Sequence, residues 1–364
     1  MVLSLLFKPK HLVAVIRLMR EAKRLGVAID ELPPEVVADH VLPRTHPERH
    51  GLVPDAEVTT TPPIEDLALA AVRDDVRAGH WENAADLVAA THGDWDRRHR
   101  VVRALADLAA KDDAWTSAWH AARPRDPHWI VVHAMSLVSL AWDIRGTAAA
   151  SRTTRPQFEG FHRVLAEARA MAEVAASVLP DDPTPWNTQL TSARGLQLPH
   201  DEFRSLWDEL VARDPLHHNA HQQALQYWCR KWQGSDELAL EFGLAAAARS
   251  PRFLALPLCA AYESGSPDMW RAPSVVGALD SLLARLEDEG ADTASVRDDR
   301  GYAAFGLVQL GRFEEALGQF RALGACADAE PWSGFEEPRI TFLSVRGMAV
   351  RGMGKRRRGT GLGW

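Results

Sequence analysis

In Asp126-Pro127, Asp182-Pro183, Asp214-Pro215 and Ser250-Pro251 a short polar residue stands directly before a proline, between stretches of helical character. The side-chain oxygen of Asp or Ser accepts from the unpaired N–H groups of a first helical turn, and Pro fits the first helical position, where a missing N–H costs nothing. Each pair therefore predicts a helix start. Pro183 to Pro215 is 32 residues and Pro215 to Pro251 is 36, which brackets the length of one helix-turn-helix repeat. Matching second helices are predicted over Phe203–Val211, Leu238–Ala248 and Val275–Leu286 from their apolar spacing. A helix pair this short cannot bury its apolar face alone, so stacking on neighbours is the expected solution.

From Ile64 onward helix follows helix, rich in Ala, Leu, Arg and Glu, and strand signals are nearly absent. Ahead of this lie two other stretches. Residues 9–26 place Leu12, Val15, Ile16, Met19, Ala22 and Leu25 at spacings of three and four, an amphipathic helix ending at Gly26 that is expected to pack on the body. Residues 30–63 carry Pro33, Pro34, Pro43, Pro47, Pro54, Pro62 and Pro63, the mark of an irregular connector.

One stretch resembles the tetratricopeptide repeat: Ala303-Ala304 with Leu307, then Leu310-Gly311-Arg312-Phe313-Glu314-Glu315-Ala316 and Phe320. Elsewhere only the openings and the period of that repeat remain. Gly79-x-Trp81, Asp94-Trp95-x-Arg97-Arg98, Ala141-Trp142-x-x-Arg145-Gly146, Leu179-Pro180-x-Asp182-Pro183-x-x-Trp186 and Lys231-Trp232-x-Gly234-Ser235 look like the marks of an uncharacterised actinobacterial family of helical proteins. That second resemblance covers about residues 77–250 and implies a fold and no activity. The expectation is an all-α, right-handed α-solenoid of antiparallel helix pairs, tetratricopeptide-like: residues 1–29 an N-terminal helix, 30–63 the connector, 64–352 the repeat domain and 353–364 a flexible basic and Gly-rich tail.

Two groups of residues stand out as candidate sites. Counting from the Pro of each opening places Asn187 and Asn219 four residues on, and Arg194 and Gln226 eleven on, so both pairs belong to one wall of stacked first helices. Thr191, Gln222, Gln223 and Arg230 add amide and guanidinium donors, while His221, Leu225, Trp228 and Trp232 form the opposing apolar stripe. Such a wall suits a peptide carboxylate or acidic segment; a plain solvated face is the simpler reading. The second group is on the segment Trp129–Arg145, which is apolar almost all round and predicts a central helix. His133, Ser136 and Asp143 fall near one side of it and Arg145 on another, as a satisfied structural network or a small-molecule pocket. A hydrolase triad is not expected, because residues of one rigid helix do not converge as nucleophile, base and orienter.

The remaining signals are exclusions. A net charge of -7 argues against a general nucleic-acid binder, since phosphate affinity needs clustered Lys and Arg. Cys229, Cys259 and Cys326 lie far apart with no metal spacing, which suggests a reducing compartment and three small core residues. His217, His218 and His221 lack a completing carboxylate or Cys, and His40, His46 and His50 sit in the connector, so no metal or other cofactor is expected. No uninterrupted apolar run reaches the length of a membrane span, and a cytoplasmic location is expected. Thirteen Trp against three Tyr fill gaps between helices or line a groove. The favoured function is a non-catalytic one, holding a peptide or protein partner; the alternative is an enzyme or sensor using the stripe around His133, Ser136 and Asp143.

Overall fold

A computed structural model describes residues 12–28, 32, 36, 45–146, 153–335 and 337–359, with residues 12–17 and 355–359 as backbone alone. His40 lies outside this description, as do the side chains of Lys355 to Arg358 and all of Trp364 in the basic and Gly-rich tail. The described residues are all-helical and contain no strand. The helices are α1 (Leu12–Leu25), α2 (Leu67–Arg77), α3 (Glu82–Ala90), α4 (Trp95–Ala109), α5 (Ala114–Ala122), α6 (Pro127–Arg145), α7 (Arg155–Val178), α8 (Thr184–Leu196), α9 (His200–Arg213), α10 (His218–Trp228), α11 (Asp236–Arg249), α12 (Leu256–Ser264), α13 (Pro267–Arg271), α14 (Pro273–Glu287), α15 (Ala294–Gln309), α16 (Phe313–Leu323) and α17 (Pro338–Gly359). No helix among the described residues is long and apolar enough to cross a membrane. The chain divides into two compact units, residues 64–269 and residues 1–63 with 270–364.

The capping argument holds cleanly at one opening and is modified at the others. Asp126 accepts from His128 N (3.0 Å) and α6 begins at Pro127. Asp182 accepts from Thr184 N (2.9 Å), and α8 begins at Thr184, just after the proline. Asp214, by contrast, accepts from Leu216 N (3.0 Å) to close a turn, and α10 begins later, capped by His217 Nδ1 on Ala220 N (3.2 Å). Ser250 caps only the 3-10 turn Pro251–Phe253, and α12 starts at Leu256. A short side chain before Pro stabilises a local turn wherever it stands, and the chain beyond decides whether the turn continues as α-helix.

In the middle unit α4 packs on α6, α6 on α8, α8 on α10 and α10 on α12, while α7, α9 and α11 pack on the helices that flank them in sequence. The core of its first half runs from Val72 to Ala175, with Trp115 and Trp119 at its centre. Trp119 is fully buried; its Nε1 donates to the Asp126 carboxylate at 3.0 Å, so the residue that caps α6 is held from behind by α5. Every Trp of this unit is at least half buried, as gap-filling requires. Arg98 on α4 is also fully buried and forms the main polar link. Its Nε donates to Asp182 at 2.6 Å and its Nη1 to the Val88 carbonyl at 2.7 Å, and Nη2 lies 3.2 Å from His128 Nδ1.

The other unit holds the helix-turn-helix that resembles the tetratricopeptide repeat. There α15 packs on α16 and α16 on α17, and Gly311 (φ 70°) makes the left-handed turn between α15 and α16. The connector is irregular, as its prolines predict, with 3-10 turns at Pro47–His50 and Asp55–Glu57. It is fastened by Arg339, whose Nε and Nη2 donate to the Val58 and Asp55 carbonyls (3.0 and 2.7 Å), and by Arg346 on the Asp55 carboxylate (2.5 Å). In α1 the buried residues are Leu18 and Ala22, whereas Met19 and Leu25 of the expected stripe are exposed. The apolar spacing there fits two faces, and contact selects the one through Leu18. The last helix runs on through Gly359, into the stretch whose Gly content suggests a tail.

Candidate functional site

The asparagines that the register pairs do meet. Asn187 Nδ2 on α8 donates to Asn219 Oδ1 on α10 at 3.0 Å, across 32 residues of sequence. Asn187 is nevertheless fully buried, which corrects its placement on an open wall. The sequence also missed its third neighbour: His99 on α4, whose Nδ1 lies 3.2 Å from the same Nδ2. Asn187 Oδ1 and His217 Nε2 are buried and make no hydrogen bond. Burial, with Arg103, Arg100 and His217 nearby, holds the His99 imidazole well below the usual range. His217, fully buried, is likewise lowered by burial.

One helical turn and more beyond this pair, the same face of α8 presents Arg194. Its guanidinium lies 5.0 Å from the ring of Trp142 on α6 and 5.3 Å from that of Trp232, beyond the end of α10, and the two indoles meet edge to face at 5.7 Å. Arg145 stacks over Trp142 as well, at 5.5 Å. Three other cations on neighbouring segments have carboxylate partners: Arg103 pairs with Asp107 (3.0 Å), Arg230 with Asp236 (3.3 Å) and Lys231 with Glu263 (2.6 Å). Among the described residues no carboxylate pairs with Arg194, and its Nε is buried without a hydrogen bond, as is Trp232 Nε1. Burial pushes the Arg194 guanidinium down to about 10; Glu263 pulls against this, and Arg103 and Arg145 reinforce it. A charged group held in this way is short of a counter-ion.

The other wall residues divide. Gln226 Nε2 donates to Glu263 at 2.8 Å, and exposed Arg230 reaches the Ser264 carbonyl at 3.2 Å, so both line the approach to α12. Gln222 and Gln223 are half buried on α10, and buried Thr191 donates to the Asn187 carbonyl at 2.9 Å as an ordinary helix back-bond. Cys229, near Arg194, is buried and its thiol is pushed up to about 12 by that burial, which makes it a poor nucleophile.

The stripe on α6 does not assemble. Ser136 Oγ donates to the His133 carbonyl at 2.8 Å, and the His133 ring stacks on Trp129 at 4.7 Å, with His120 on Trp129 at 3.9 Å. Asp143 is exposed and stands ten residues, about 15 Å of helix, from His133. The expectation of a buried stripe joining them is therefore corrected: the inward side of α6 is formed by Val131, Val132, Met135, Val138 and Ala141, and Asp143 faces solvent. Arg145 Nη1 donates to the Gly146 carbonyl at 3.0 Å.

His221 packs as a core ring, stacked on Phe253 at 3.8 Å with Nδ1 donating to the His217 carbonyl at 2.9 Å. Burial lowers it to about 4. The folded chain thus refuses a proton that the unfolded chain accepts below pH 6.5, so stability is lost as pH falls from 6.5 towards 4. At pH 5 this one ring costs about 2 kcal/mol. Melting curves at pH 7 and pH 5 are expected to differ clearly less for His221→Phe than for the unsubstituted chain; an equal difference would remove His221 from the account. No cluster of His, Cys, Asp and Glu among the described residues is arranged to hold a metal.

No family model matches the chain, and neither a curated protein nor a solved structure matches it.

Proposed function

We propose that residues 64–269 form a tetratricopeptide-like stack of helix pairs whose first helices, α4, α6, α8, α10 and α12, line a groove that holds an acidic segment of a peptide or protein partner. The packing of each of these helices on the next supports the stack. The observation that carries the function is Arg194, a cation oriented by two indoles, with a buried Nε that has no hydrogen bond and no carboxylate paired to it among the described residues. A carboxylate reaching this guanidinium gains a charge-assisted hydrogen bond beside a buried Nε, where the pairing is strong.

The test is an array of random-sequence peptides containing Asp or Glu, printed beside copies in which those residues are Asn or Gln. The expected result is a set of acidic peptides bound at about micromolar affinity, at least tenfold weaker as their amide copies. Arg194→Met is expected to abolish the difference. Equal binding of acidic and amide copies, or an unchanged preference in Arg194→Met, contradicts the reading.

A further inference from the structure

Between α9 and α11, with Trp228 of α10 at its base, lies a cleft with a volume of about 390 Å³. Its walls are aromatic: Phe203 meets Trp228 edge to face at 5.7 Å, and Trp207 meets Phe242 in the same way at 5.3 Å. Phe203 and Trp228 are buried in its floor, while Trp207 and Phe242 are partly buried. Around the rim stand Arg204, Asp208 and Glu241, all exposed. Arg204 and Asp208 are four apart on α9, the spacing at which opposite charges commonly pair. They do not pair here. Arg204 instead lies over the Trp228 ring at 5.3 Å, and Asp208 and Glu241 have no basic partner among the described residues.

These features belong together chemically. Indole and phenyl faces attract cations through their quadrupoles, most strongly where water is excluded, and Arg204 already shows that the Trp228 face receives one. Two unpaired carboxylates at the mouth give the cleft the sign opposite to that of the Arg194 groove. The volume suits a small molecule rather than a chain segment. We propose that this cleft binds a small organic cation, a quaternary or tertiary ammonium compound, whose alkyl groups pack against Trp207, Trp228 and Phe242 while Asp208 and Glu241 supply the counter-charge and Arg204 swings away. This site is independent of the groove and stands or falls without it.

The experiment is calorimetric titration of the full chain with choline and with 3,3-dimethylbutan-1-ol, its uncharged isostere, so that shape and charge separate. Choline is expected to bind, and the neutral isostere about tenfold more weakly or not at all. Asp208→Asn with Glu241→Gln changes only exposed side chains, leaves the melting temperature in place and is expected to weaken choline about tenfold. Arg204→Ala removes the resident cation and is expected to strengthen it. Failure of choline to bind, equal binding of the isostere, full affinity in the double variant, or weaker binding in Arg204→Ala each overturns the proposal.

Discussion

Arg98→Met is expected to lower the melting temperature of residues 64–269 by on the order of 10 °C, which corresponds to about 3–5 kcal/mol. The guanidinium and the Asp182 carboxylate are both fully buried, at 2.6 Å, and Arg98 also donates to the carbonyl that ends α3. Removing the cation leaves a carboxylate desolvated and uncompensated, which costs far more than the pair contributes in itself. The double variant Arg98→Met with Asp182→Asn is therefore expected to melt above Arg98→Met alone, because Asn keeps the cap on Thr184 N while losing the charge. A double variant that melts lower than both singles would show that the pair is a net source of stability and not a matched cost.

Trp119→Ala is expected to cost about 3–5 kcal/mol by urea or thermal unfolding, with Trp119→Phe recovering most of it. Trp119 is fully buried between Trp81 and Trp115, each 6.4 Å from it, so truncation leaves a cavity that rigid helices on three sides cannot close. Phe refills much of that volume but cannot donate to Asp126, so the shortfall that remains combines the unfilled volume with the lost hydrogen bond, itself about 1.5–3 kcal/mol to a charged acceptor. A loss under 1 kcal/mol for Trp119→Ala would mean that the core of α3 to α6 repacks freely.

How much of this was readable in the residues follows from the range over which each signal acts. Helix content and the phase between α8 and α10 are local and periodic, so the openings at Asp182-Pro183 and Asp214-Pro215 correctly put Asn187 opposite Asn219, although α10 starts later than its proline suggests. Burial is not local. Asn187 and Arg194 have the same polar chemistry as Gln222 and Arg230, and only the approach of α4 buries Asn187 and that of Trp142 and Trp232 covers the Nε of Arg194. His99 and Arg98 carried no signal of their contacts, because their partners lie 88 and 84 residues away and nothing in the spacing links α4 to the start of α8. The α6 stripe failed for a different reason: ten residues of helix turn Asp143 about 80° away from His133, and that side of the helix is left to solvent while Ala134 to Ser139 and Ala141 stay buried.

In the proposed function Arg194 serves a ligand and does not hold the fold. Cation–π contacts to two indoles are worth about 1–4 kcal/mol together, whereas a desolvated cation without a counter-ion costs stability. Met fills the same slot with an unbranched, polarisable chain that packs well on aromatic rings and carries no charge. The melting curve of Arg194→Met therefore decides the matter without knowledge of the partner. The account predicts a melting temperature equal to or above that of the unsubstituted protein, together with loss of acidic-peptide binding; a fall of about 5 °C or more would show that the two tryptophans need the cation for the fold, and would contradict it.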